Sequence, residues 1–130
     1  MGDRANIAVQ ARGERVYLYT HWNGYDLPET VRRALARKQR WDDAPYLTRI
    51  IFCEMVRGEE TEESGFGIST QLGDNSYPLI VVDVAAQTVS CEAALHGAVR
   101  GGARVWAIKD YAALPAADWS SLDSGVKTDG

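Results

Sequence analysis

The chain reads as α+β: a single antiparallel sheet of five or six short strands packed against two main helices. Three observations predict this. Segments with strand periodicity flank tight turns twice, at 6–22 and 77–92, the pattern of two hairpins. Between them lie two stretches with apolar residues at helical spacing and capping residues at their starts. The composition, 130 residues with 45% hydrophobic and 25% charged, is ordinary for one globular domain.

The elements follow in order. Residues 6–11 alternate Ile7, Val9 and Ala11 with Ala8 and Gln10, a period-2 strand. Arg12-Gly13-Glu14 turns the chain, and the aromatic and β-branched run Val16 to Trp22 returns as its partner. Asn23-Gly24 ends that strand. Asp26 is placed to cap a helix, Pro28 suits its first turn and Glu29 stands three residues after the cap. Leu27, Val31, Ala34 and Leu35 give this helix, expected over 28–40, an apolar stripe. Its other side carries Arg32, Arg33, Arg37, Lys38 and Arg40. A second helix is expected over 45–57, capped by Asp42 or Asp43; being apolar almost all round, it should be central and buried.

An acidic loop, Gly58 to Gly65, precedes a short strand or irregular edge at Phe66 to Thr70. Tyr77 to Val84 reads as a strong strand, turned at Ala85-Ala86-Gln87 and paired with Thr88 to Glu92. Residues 93–99 are expected to form one or two helical turns, and Arg104 to Ile108 a last strand. One globular domain thus covers 1–115. Residues 116–130, rich in Ser, Asp and Gly, read as a flexible tail.

Net charge of −4 and a pI near 5.1 argue against general nucleic-acid binding. The longest apolar run, Leu79 to Val82, is far short of the roughly 20 residues that span a bilayer. The polar start, Met1 to Asn6, does not read as a signal peptide, so a cytoplasmic protein is expected. Cys53 and Cys91 are expected to be reduced and packed as small hydrophobes. His21, His96, Cys53 and Cys91 lack metal-ligand spacing, so no metal or cofactor is expected.

Candidate site residues cluster around Tyr19-Thr20-His21-Trp22-Asn23-Gly24, a strand end opening into a turn. His21 can exchange a hydrogen bond with a ligand, and Tyr19, Trp22 and Asn23 stand beside it; all four can equally be packing or turn residues. Glu54 falls within the apolar stripe of the second helix at about 100° per residue. A carboxylate there needs a partner or a polar pocket, and Arg49 stands on the same helix. Gly65-Phe66-Gly67-Ile68-Ser69-Thr70 allows close backbone approach and offers hydroxyls; a bulged edge strand explains it equally. The expected ligand-binding set is therefore Tyr19, His21, Trp22, Asn23, Arg49, Glu54, Phe66, Ser69 and Thr70. No nucleophile elbow or phosphate loop is present, and no residue is assigned a catalytic role.

The segments Met1-Gly2-Asp3-Arg4-Ala5-Asn6, Tyr19-Thr20-His21-Trp22, Arg49-Ile50-Ile51-Phe52-Cys53-Glu54-Met55 and Gly65-Phe66-Gly67-Ile68-Ser69 carry a resemblance to a family of small hypothetical proteins of bacteria and their phages. The resemblance covers about residues 1–92 and implies no catalytic residue. Small phage proteins of this size include sponges that sequester nucleotide immune signals, often as oligomers. The expected function is therefore non-catalytic binding of a small polar or nucleotide-like ligand by a homo-oligomer. Two alternatives stand beside it: a small hydrolase using His21 and Glu54 as acid and base, and a protein-protein inhibitor or adaptor acting through the basic helix 28–40.

Overall fold

The computed structural model describes residues 2–125. Strands β1 (Ala5–Ala11) and β2 (Glu14–Thr20) form the first hairpin, pairing from Ala5 with Thr20 to Ala11 with Glu14. The two loop residues, Arg12 and Gly13, both take positive φ, 54° and 81°. That is the turn class whose twist matches the flanking strands. Strand β3 (Phe66–Ser69) pairs antiparallel with β2 and forms one sheet edge. Strands β4 (Leu79–Asp83) and β5 (Thr88–Glu92) form the second hairpin, and β6 (Trp106–Ala107) closes the order β3-β2-β1-β4-β5-β6.

The α+β class stands, with six strands in one sheet. The sheet is mixed, however, not antiparallel throughout: β1 and β4 run parallel, from Ile7 beside Ile80 to Gln10 beside Asp83. Turn chemistry fixes partners within each hairpin but not how two hairpins meet. Here both β1 and β4 are buried on both faces, as parallel strands usually are. The continuous run Leu79-Ile80-Val81-Val82 is the sequence trace of that environment.

Helices α1 (Leu27–Ala36) and α2 (Ala44–Met55) cover one face of the sheet. Helix α1 stops four residues short of the expected end. Lys38 and Arg40 take left-handed φ of 56° and 58°, and the Trp41 indole N–H donates to the Leu35 carbonyl at 3.0 Å, satisfying a terminal acceptor. Asp43 caps α2 by accepting the Tyr46 N–H. Leu47, Ile50, Ile51 and Met55 enter the core, but Tyr46, Arg49 and Cys53 face outward. Helix α2 is therefore a covering helix with one open side, not a central one. Cys91 is buried as expected, whereas Cys53 is exposed.

The principal core draws on residues from Ala5 to Leu122. On the opposite sheet face a smaller cluster, Ala8, Leu79 and Val81, is covered by Tyr17, Leu72 and Ala94. No helix forms over 93–99. A short helix α3 (Ile108–Ala112) follows β6, and the expected tail from 116 is instead, as far as 125, part of the packed fold, with a further short helix α4 (Trp119–Leu122). Trp119 is fully buried, stacks on Tyr77 at 4.8 Å and donates its indole N–H to the Gly24 carbonyl at 2.9 Å. Hydrophobic anchors at Trp119 and Leu122 outweigh the polar composition around them. Residues 126–130 of that expected tail lie outside the described residues.

Candidate functional site

Strand alternation places Tyr17, Tyr19 and His21 on the sheet face opposite the helices. The register sets Asn6 beside Tyr19 on that face. The Tyr19 hydroxyl lies 2.9 Å from His21 Nδ1, and Arg4 Nε donates to the same nitrogen at 3.3 Å. An arginine N–H only donates. Nδ1 is therefore the acceptor in this arrangement, and the ring N–H belongs to Nε2. Arg4 Nη1 also lies 3.9 Å from the Asp74 carboxylate. Asn6 Nδ2 donates to the Asp74 carbonyl at 3.1 Å, and the Ser76 N–H donates to the Arg4 carbonyl at 2.7 Å. The loop 73–76 is thus tied to the start of β1.

These ties frame a groove of about 380 Å³, lined by groups including Asn6, Tyr19, Gly67, Ser69, Gln71 and Asp74. Asn6 is 1% exposed, yet among the described residues no donor meets its Oδ1. That oxygen stands 3.9 Å from where a Cβ on Gly73 would be, with the Tyr19 ring at 3.6 Å from the same point. The adjacent Asn75 is 3% exposed; it donates Nδ2 to the Gly73 carbonyl, and its Oδ1 has no partner. The groove's lining carries hydroxyls, amides and one carboxylate, and no basic side chain.

The expected set divides. Tyr19 and Ser69 line the groove, and His21 braces Tyr19 from the side. Trp22 turns away: it is 51% exposed and packs edge-on to His21 at 4.3 Å. It also covers Gly65, where a Cβ would come within 2.3 Å of the indole nitrogen. Asn23 opens a short 3-10 turn, Gly24–Asp26, without a side-chain cap; its N–H donates to Thr20 Oγ1. Phe66 points to the helix side and packs at the margin of the principal core. Thr70 lines a different cavity, about 840 Å³, between the first hairpin and the start of α2. Arg49 stands on the outer side of α2 with its guanidinium near Cys53.

Glu54 is bonded elsewhere. Its side chain is 8% exposed, and the carboxylate accepts from Arg37 and Arg57 at 3.0 and 3.1 Å. The grooves containing Tyr19 and Glu54 share no lining residue. His21 meets Tyr19 and Arg4, whereas Glu54 meets Arg37 and Arg57, so the two share no partner. The basic face of α1 is likewise largely neutralised from within. Arg32 and Arg33 both meet Glu29, and Arg37 meets Glu54. Glu29 does not close a capping box as its position suggested.

Sequence reasoning missed Asn6, Gln71 and Asp74 as groove residues and Arg4 as the brace. For Asn6 a signal exists: it is a polar side chain in phase with Ala8 and Gln10, on the face that opposes the helices. For Arg4 the sequence offers none. Among the described residues, no three His, Cys, Asp or Glu side chains converge as metal ligands, and no helix is long and apolar enough to cross a membrane. No protein-family model, curated protein or solved structure matches the chain.

Proposed function

We propose that the chain is a non-catalytic binding protein that sequesters a small polar, nucleotide-derived molecule, with the groove at Tyr19 as the seat of its base or sugar. The observation that carries this reading is the polar wall around Asn6, a side chain 1% exposed that lines the groove with its Nδ2 held by the Asp74 carbonyl. Beside it stand the Asp74 carboxylate, the Ser69 hydroxyl and the Gln71 amide. Such a lining rewards N–H and O–H donors of the kind a nucleobase and ribose carry. It gives a phosphate no cation. The polar residues are held by one another, with Tyr19, His21, Arg4 and Asp74 forming a connected chain; a preformed site binds without spending affinity on ordering itself.

Assembly into a homo-oligomer belongs to the same reading. Strand β3 is an edge, its residues Phe66-Gly67-Ile68-Ser69 carry no charge, and Ile68 is 60% exposed. Edges of this kind pair readily with another strand. A second copy along β3 would wall the groove on its open side.

Native mass spectrometry of freshly purified protein tests both parts in one spectrum. The expected result is a multimer that retains a small polar molecule, reduced to monomer by Ile68→Lys. Added nucleosides or nucleotides should raise the melting temperature, since ligand at a hundredfold excess over Kd contributes about 2.7 kcal/mol. Bare subunits with a melting temperature indifferent to the whole panel would overturn the reading.

A further inference from the structure

A second concavity, about 360 Å³, lies on the other side of Asn75, between Ser76–Pro78 and the loop 96–100. It shares no lining residue with the Tyr19 groove. Its walls meet only because three positions lack a side chain. A Cβ on Gly97 would stand 1.7 Å from the Tyr77 carbonyl oxygen; on Gly101, 2.2 Å from the Gly125 nitrogen; and on Gly125, 2.3 Å from the Gly101 nitrogen. What these glycines supply is close backbone approach. Asp123, fully buried, holds the loop from inside by accepting the N–H groups of Arg100, Gly101 and Gly125 at 2.9–3.0 Å.

With Asp123 committed to the backbone, the concavity is lined, among the described residues, by His96, Arg100, Tyr77 and the Ser76 hydroxyl, and by no carboxylate. Among the described residues, no carboxylate lies within ion-pair distance of the Arg100 guanidinium, although its charge acts on Asp123 and helps to hold that carboxyl down. In a chain of net charge −4, a lining that carries an arginine and a histidine and, among the described residues, no acid departs from the prevailing sign. We propose that this concavity is an anion site, where Arg100 and His96 hold a phosphate group with help from Ser76. The chemistry is that of a planar guanidinium donating two parallel N–H bonds to phosphate oxygens, with the imidazole and hydroxyl closing the remaining sides. The phosphate is either free or the phosphoryl end of a nucleotide.

The test is an NMR titration of the ¹⁵N-labelled full chain with sodium phosphate at constant ionic strength. Saturable shifts are expected at the amides of His96, Gly97 and Arg100, absent when sodium chloride alone is added. Arg100→Gln should weaken phosphate binding by about tenfold or more, its dispersed spectrum reporting that it is folded. Arg104→Gln removes the same charge from an exposed arginine outside the concavity and should leave binding unchanged. Non-saturating shifts, or equal weakening by the two variants, would overturn the proposal. Parallel titrations with AMP and adenosine separate the sources: AMP binding well above free phosphate points to a nucleotide, and equal affinities point to the free ion. Shifts at these amides with adenosine as large as with AMP would count against an anion site.

Discussion

Glu29 offers the sharpest test of how this fold is held. Its carboxylate accepts Arg32 Nε and Nη2, each at 2.7 Å, Arg33 Nε at 3.0 Å and the Ala117 N–H at 2.9 Å. One side chain thereby joins α1 to the segment that leads into α4. The carboxyl pKa is lowered from 4.5 to about 2, chiefly by the Arg32 hydrogen bonds, with Ala117 and Arg33 adding and burial opposing. Because the folded-state value lies below the unfolded one, the stabilisation is complete above about pH 5 and is lost as pH falls toward 2. Linkage sets its full size at about 3 kcal/mol, and solvent at the exposed Arg33 reduces this to roughly 2 kcal/mol. Glu29→Gln should therefore cost about 2 kcal/mol at pH 7. In urea titrations followed by tryptophan fluorescence this is a midpoint shift of roughly 1 M. The gap between variant and native protein should narrow steadily through pH 4.5 and 3.5. A gap of equal size at pH 7 and pH 3.5 would refute the charge-based account and leave only lost packing.

Three further outcomes follow from the geometry. Trp119→Ala removes a fully buried indole and its bond to Gly24; a loss of about 3–5 kcal/mol is expected in thermal or urea unfolding. With a thiol reagent, Cys53 should react in the native state and Cys91 only after unfolding, because Cys91 is enclosed and its thiol is pushed up to about 11 by burial, with Asp123 and Glu92 adding to it. Glu54→Gln should lower stability, since it leaves Arg37 and Arg57 without their carboxylate, while leaving ligand retention in the Tyr19 groove unchanged.

Much of the fold was legible from local signals. Both hairpins, the start of each main helix and the edge strand at 66–69 appear where alternation, caps and turns put them. The parallel meeting of β1 and β4 was not legible in those signals, because it depends on how distant segments dock. The run Leu79 to Val82 hinted at it through burial on both faces. The C-terminal segment was misread for a related reason. Its Ser and Asp content speaks for solvent, and only the socket formed by Tyr77 and Gly24 shows why Trp119 is core.

For the site, periodicity carried more information than residue chemistry. In a strand, residues three apart lie on opposite faces, so Phe66 and Ser69 could not both reach one ligand. Tyr19 and Trp22 are parted in the same way. Arg49 and Glu54 were harder, because the rotation of α2 on the sheet is set by packing across the core. Glu54 found its partners on α1 and one turn onward, which no reading of α2 alone would supply.

The parallel pairing at the centre of the sheet also orders events in time. One side of β1 is matched by β2 across a two-residue turn, within reach as soon as residue 20 exists. The other side waits for β4, 73 residues further along at the Gln10–Asp83 pair. A growing chain therefore carries an open row of β1 backbone donors and acceptors for most of its synthesis, and chain ends that must meet over such a span do so slowly. Trp119 extends the delay, since its place against Gly24 and Tyr77 stays empty until that residue emerges. The hairpin that helps to build the groove is among the first structures able to form, yet the sheet beneath it is among the last to be completed.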